Sequence, residues 1–406
     1  MSGPRRTQHG LQPEHSPVDA GVATEGGDSY EQRVTPLELF FDLVFVFALT
    51  QVTGFLADHL TWVGMLQGAA LLAVLWSSWA VYSWLTNAVP AEDVIPARIV
   101  IFCAMAAMVV ASLAVPGAFG QYGVLFGSAY FVVQLSQVVL YSLAAGSDLE
   151  QRWAILRLAP GLVGAPVLMI VAGFLDGYPQ GVLWAAALAV GYGVAFVRGV
   201  SGFRIHAGHF AERHGLVVII ALGESIVAAG VGVSGLALGT GVIAAVVVGI
   251  ALAAALWWAY FDLVMLVAER RLSAAQGEER ARLARDSYSY LHLPMVAGII
   301  FVALGVKQTL SHVGDPLGTI SAVALCGGVA LYLLGHNAFR LREGRQPERS
   351  EAGGDDALPG AHSLGCVDPF PHHPGRPGVV ALRSGRLRDS DLSGVQACAP
   401  CTLKAA

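Results

Sequence analysis

Ten apolar stretches, each long enough to cross a bilayer, constrain this chain more than any other feature. They run over residues 37–57, 61–86, 97–116, 122–145, 155–174, 180–200, 214–233, 239–268, 291–310 and 318–339. About 20 apolar residues in a helix cover a hydrocarbon core of ~30 Å, where the backbone must satisfy its own hydrogen bonds. Connections are short, so no soluble domain is inserted. Of 406 residues, 55% are hydrophobic and 13% charged, against roughly 25% charged in a soluble domain. Mean hydropathy is +0.60. The expected fold is all-α: a polytopic membrane helix bundle of about ten transmembrane helices. The eighth stretch is long and should tilt or project into water.

The basic residues segregate. One set of loops holds Arg33, Arg98, Arg152, Arg157, Arg198, Arg204, Arg213, Arg270, Arg271, Arg280, Arg282 and Arg285, and both tails lie on that side. The opposite side holds only Lys307 of the 24 Lys and Arg. By the positive-inside rule both termini are expected to be cytoplasmic. Residues 1–33 are polar and lack the apolar core of a signal peptide, so they read as a disordered N-terminal tail. Net charge is −5, which gives no basic field for nucleic acid. There is no Walker loop and no Rossmann fingerprint, and no cofactor is expected. Cys103 and Cys326 read as core residues. Cys398 and Cys401 form a lone CxxC, too little for a zinc site.

A short internal repeat is suggested. Phe47–Gln51 (FALTQ) echoes Ile220–Glu224 (IALGE), and each motif helix precedes one ending in Trp and Tyr: Trp79 and Tyr82, then Trp258 and Tyr260. Six helices separate the copies, so the repeat would be parallel, with Gln51 and Glu224 at equivalent depths. A six-helix unit predicts twelve spans, whereas ten are present, so the second copy would be incomplete. Residues 347–406 carry seven Pro and eight Gly in 60 residues and no spanning run. They read as a disordered tail, either natural or standing in place of two helices through a frameshift or truncation.

Acids inside apolar helices are the leads on function. Glu224 sits about ten residues into its helix, near ~15 Å depth. It reads either as a proton- or cation-binding site or as a neutral acid fixing helix packing. Asp42 lies one turn inside the cytoplasmic edge, with Glu38 at that edge on the same face. Arg98 and Arg157 are the expected partners of Asp42, in an ion pair or a gate. Glu38 could simply be solvated by headgroup water. His206, His209, Glu212, Arg213 and His214 cluster just before the Glu224 helix. They read as interfacial or as a pH-responsive gate through histidine, and His206, His209 and Glu212 more weakly as ligands of a divalent metal. Arg213 and Glu224 share a face but stand ~16 Å apart, too far to pair. Asp262 lies near the cytoplasmic end of its helix. Trp257, Trp258, Tyr288 and Tyr290 suit an aromatic belt. Glu269–Tyr290 reads as a short surface helix of mixed charge, or as a partner-docking element.

Several motifs together resemble one family. Val34–Thr53 (VTPLELFFDLVFVFALTQVT) and Gly208–Val227 (GHFAERHGLVVIIALGESIV) look like the two signatures of the bacterial low temperature requirement protein A family (LtrA). Ala255–Asp262 (ALWWAYFD), Arg285–Ile299 and Leu331–His336 (LYLLGH) fit the same order. The resemblance covers about residues 34–342. It implies a multi-pass membrane protein of the bacterial cytoplasmic membrane linked to growth in the cold, and supplies no substrate. Relatives continue as apolar helices where this chain turns polar after Leu341, so residues 343–406 depart from the pattern.

The functional expectation is a secondary transporter coupled to protons or cations, not an enzyme. Its path would involve Glu38, Asp42, Gln51, His209, Glu212, Arg213, His214, Glu224 and Asp262. Its partners would be the lipid bilayer and protons, cations or a small solute, with oligomeric state left open. The alternative is a non-transporting sensor or assembly factor, its acids fixing helix packing. An intramembrane enzyme would need Asp42, Glu224 or Asp262 to converge.

Overall fold

A computed structural model describes residue 3, residues 34–88 and residues 94–344. Ten long helices carry it: α1 (Pro36–Asp58), α2 (Trp62–Ala88), α3 (Ile95–Ala114), α4 (Gly123–Ala144), α5 (Leu149–Ala172), α6 (Gly177–Arg198), α7 (Ala207–Gly232), α8 (Thr240–Tyr260), α11 (His292–Ser311) and α12 (Thr319–Gly344). Two short helices, α9 (Leu266–Ala274) and α10 (Gly277–Leu283), connect α8 to α11. The ten long elements fall on the ten apolar stretches, and all are long and apolar enough to span a membrane. There is no strand among the described residues. The expected disordered tails lie outside the described residues, except for residue 3 and the start of the 343–406 segment, which still belongs to α12.

The bundle is built around α1, α2, α7 and α11. α1 and α7 run parallel: Asp42 meets Arg213 near their starts, and Thr50 meets Glu224 further along. This follows from the six crossings between them. α2 returns antiparallel along α1, stacking Tyr82 on Phe41 with ring centroids 4.5 Å apart. In the first half α1 touches α2 and α3, and α3 touches α4. In the second, α7 touches α8 and α11, and α11 touches α12. Large side chains such as Phe45, Trp76, Trp79 and Tyr260 fill the interior. Apolar residues such as Ile243, Val247 and Val248 on α8 face outward, as lipid solvent permits.

Local sequence explains two features. α1 begins at a capping box: Thr35 Oγ1 accepts from the Glu38 N–H at 3.3 Å, and Glu38 Oε2 accepts from the Thr35 N–H at 2.9 Å, with Pro36 in the first turn. α11 and α12 approach at Gly298 and Gly328. A Cβ on Gly298 would lie 2.6 Å from the Gly328 carbonyl oxygen. Small residues are what permit such contact between membrane helices.

The long eighth stretch continues from α8 through a π-helical turn, Phe261–Met265, into α9. Two expectations are corrected. Glu269–Tyr290 is not a single solvated surface helix. It comprises the end of α9, α10 and a π turn, Ala284–Tyr290, with Leu272, Ala281, Leu283 and Ala284 buried. Cys103 and Cys326 are exposed on the outer surface, not in the core.

Candidate functional site

The sequence candidates converge at the starts of α1 and α7. Arg213, 1% exposed, places Nη1 2.8 Å from Glu38 Oε1 and Nη2 2.7 Å from Asp42 Oδ1. Its Nη1 also donates to Thr86 Oγ1 at 3.2 Å. Trp79 Nε1 donates to the same Asp42 Oδ1 at 2.9 Å, and the Arg213 guanidinium stands 5.7 Å from the Trp79 ring centroid. Glu38 Oε2 accepts from Thr35 Oγ1 at 3.1 Å and meets His209 Nε2 at 3.0 Å. Spacing explains the convergence. Glu38 and Asp42 are one turn apart on α1, and His209 and Arg213 are one turn apart on α7, so two facing stripes meet.

The protonation pattern follows from Asn87. Its Oδ1 accepts from the His206 N–H at 2.8 Å, and its Nδ2 donates to the His206 carbonyl at 2.9 Å. Those two bonds fix which end of the amide is nitrogen. The second Nδ2 hydrogen then points at His209 Nδ1, 3.0 Å away. His209 Nδ1 must accept, so Nε2 carries the ring proton and donates to Glu38. A doubly protonated His209 would set N–H against N–H. With His209 neutral, two carboxylates face one guanidinium, which leaves one negative charge over if both are ionised. Glu38 is well supplied with donors. Asp42 Oδ2 is buried and has no hydrogen-bond partner. A cavity of about 10 Å³ adjoins Glu38, Thr86 and Arg213, close to the space one water needs.

A second polar level lies deeper. Thr50 Oγ1 donates to Glu224 Oε2 at 2.7 Å, and Thr53 and Lys307 also act on this buried carboxyl. Lys307 is the basic residue that stands apart in sequence from the segregated arginines. Arg213 and Glu224 are eleven residues apart on α7, about 16 Å along the axis.

Beside the first level lies an aromatic box. His214 Nδ1 donates to the Phe210 carbonyl at 2.8 Å, leaving Nε2 buried without a partner. Trp79, Phe210, Tyr288 and His292 surround it with ring centroids 4.5–5.2 Å away. His292 Nδ1 donates to the Ser287 carbonyl at 3.0 Å, and its Nε2 accepts from the Tyr260 hydroxyl at 2.8 Å.

The structure therefore brings together Glu38, Asp42, His209 and Arg213, with His214 adjoining. It does not bring in Glu212 or Asp262, which are exposed, or Gln51, half-buried beside Thr50. Asp42 pairs with Arg213 rather than with the expected Arg98 or Arg157. Arg157 instead bonds Ser201. Glu38 is 3% exposed and paired, not solvated by headgroups. His206, His209 and Glu212 do not form a metal set: both His206 and His209 are engaged by Asn87, and no group of three or more metal-ligating side chains occurs among the described residues. Trp257 and Trp258 are exposed as a belt requires, but Tyr288 is buried in the aromatic box. Asn87, Thr50 and Lys307 went unnoticed as site residues. Thr50 lies inside the FALTQ motif, and Lys307 was visible as a lone charge on its side. Asn87 gives no local signal, because its role depends on a partner 122 residues away.

The comparisons with known proteins agree on kinship. The model of the family described as bacterial low temperature requirement A protein (LtrA) matches residues 33–358. An uncharacterized protein of Rhizobium meliloti (strain 1021) is 32% identical over 311 residues, 73% of this chain and 75% of the relative. No solved structure matches.

Proposed function

Because this chain belongs to the bacterial low temperature requirement A family, we propose that it is a proton- or cation-coupled secondary transporter of the bacterial cytoplasmic membrane, with both termini cytoplasmic. The observation that carries this reading is that two buried carboxylates, Glu38 and Asp42, share one guanidinium between α1 and α7. Asn87 donates to His209 Nδ1, so the imidazole meets Glu38 through its Nε2–H. A buried site of net charge −1 is costly unless a cation or a proton joins it. Asp42 Oδ2, buried and unpartnered, is the atom on which a proton would sit. Glu224 forms the second stop, facing Thr50 deeper in the bundle. The parallel α1 and α7, with matching neighbours in each half, support a pseudo-repeat that could rock about this interface. The cytoplasmic orientation rests on the segregated arginines. A non-enzymatic role is part of the proposal: Asp262 is exposed, and Asp42 and Glu224 occupy different levels.

One observation favours a second reading. Glu38 also closes the capping box of α1, so the charges could simply fix helix packing in a sensor or assembly factor. A pH gradient across vesicles bearing the protein separates the two. Solute- or cation-dependent dissipation that is lost in Asp42→Asn and Glu224→Gln, both still folded, is the transport result. Dissipation no faster than in empty vesicles, across a broad panel of ions and solutes, would remove the transport reading and leave the packing role.

A further inference from the structure

A second feature lies outside the charged level. A cavity of about 100 Å³ opens between α2, α5, α6 and the Ala284–Tyr290 turn. Its space is about seven to ten times what one water needs. Trp76, Trp84, Ile155, Leu162, Val194 and Phe203 form its walls. The polar groups there are already engaged. Trp76 Nε1 donates to the Ser289 carbonyl at 2.7 Å and Trp84 Nε1 to Ser289 Oγ at 2.8 Å. The Tyr141 hydroxyl donates to the Trp84 carbonyl at 3.1 Å, and that of Tyr192 to the Ala73 carbonyl at 2.6 Å. An occupant of the interior finds no free donor or acceptor, so its inserted part must be apolar.

The mouth is different. Arg285 is the charged side chain of the lining; it donates to the Ala195 carbonyl at 3.2 Å, as the Tyr290 hydroxyl does to the Tyr192 carbonyl at 2.7 Å, and all four residues are half-buried. Arg285 pairs with Asp286 at 2.6 Å, and Arg342 pairs with the same carboxylate at 3.2 Å. Arg342 also acts on the buried Glu343, so these two arginines and two acids balance, and the positive charge left over is that of Arg198, whose Nη1 donates to the Arg157 carbonyl. Arg198 stands three residues beyond Ala195 and seven beyond Gly191, on the same face of α6, and is exposed. All of these lie on the arginine-rich side of the bundle.

We infer that this cavity is a binding site for an anionic phospholipid, with one acyl chain among Trp76, Trp84 and Phe203 and the phosphate at Arg285 and Arg198. Basic groups at the edge of a pocket between membrane helices suit such headgroups. The apolar slot accepts the chain, and the net positive mouth selects the charge. The lipid would lie one aromatic layer from the charged level, since Trp76 touches Trp79 at 5.0 Å between ring centroids and Trp79 bonds Asp42. This site does not depend on whether the protein transports anything.

The test is native mass spectrometry of the full chain, delipidated in detergent and offered phosphatidylglycerol or phosphatidylcholine with identical acyl chains. One retained phosphatidylglycerol per chain is expected, in at least tenfold preference over phosphatidylcholine. Val81 and Ala195 both line the cavity, and Val81→Phe and Ala195→Phe, which fill it, should abolish retention. Arg285→Gln and Arg198→Gln should lower phosphatidylglycerol to the phosphatidylcholine level. Melting temperatures are compared throughout; Arg198 is exposed, so its variant remains informative if Arg285→Gln melts early. Equal retention of the two lipids by the parent protein, or undiminished phosphatidylglycerol in the filled variants that melt normally, would overturn the inference.

Discussion

Asn87 Nδ2 points at His209 Nδ1 from 3.0 Å, and that contact decides the charge of the buried cluster next to it. Because the Asn87 amide is oriented by the N–H and carbonyl of His206, His209 has one tautomer open to it. The prediction is spectroscopic. In protein labelled with 15N-histidine, the resonance lost in His209→Gln should be that of a neutral ring protonated at Nε2. Asn87→Asp removes the amide donor, and should abolish the preference for that tautomer. An Nδ1-protonated ring in the parent protein would contradict the structure.

Arg213 is the only cation between Glu38 and Asp42 among the described residues. Arg213→Leu leaves two buried carboxylates facing each other without it. The expected loss is about 3–5 kcal/mol, the range for breaking a buried ion pair. Adding Asp42→Asn to Arg213→Leu should restore part of it, whereas Asp42→Asn alone should change stability by no more than about 1 kcal/mol. Denaturation of the four proteins in one detergent checks the cycle; strict additivity would mean that the charges do not interact.

Glu224→Gln keeps a hydrogen-bond acceptor for Thr50 while removing the ionisable group. It should leave the melting temperature nearly unchanged and abolish any proton-coupled flux. Thr50→Val removes the donor, and should cost about 1 kcal/mol. A Glu224→Gln protein that fails to fold would show the residue to be structural.

Gly298→Val tests the α11–α12 seam. Its Cβ would fall 2.6 Å from the Gly328 carbonyl oxygen, so the helices must separate. A destabilisation of about 1–3 kcal/mol is expected, the usual cost of overpacking, whereas Gly223→Ala, where a Cβ meets nothing within 4 Å, should cost little. Thermal unfolding of the two variants side by side distinguishes a specific clash from a general intolerance of added bulk.

Sequence alone located all ten spans, because a spanning helix must be apolar over its whole length whatever its neighbours are. It also brought forward Glu38, Asp42, His209 and Arg213, because charge inside such helices stands out. It could not assign partners. Arg98 and Arg157 were adjacent by sequence-based reasoning about sides, while the true partner of Asp42 lies 171 residues away on a helix brought alongside by packing. The same blindness affected Cys103 and Cys326: in a membrane bundle an apolar helix face can look to lipid as readily as to the core, so apolar context does not imply burial. The burial of Leu272, Ala281 and Leu283 in the α8–α11 connection was hidden by the charges interleaved with them.

α7 runs unbroken from Ala207 to Gly232, and it carries both Arg213 and Glu224. A helix of this kind behaves as a stiff rod over such a length. An axial slide or roll that drew Arg213 away from Asp42 would therefore drag Glu224 off Thr50 in the same stroke. The two polar levels cannot be set independently; they are two teeth on one key, and whatever turns the first turns the second.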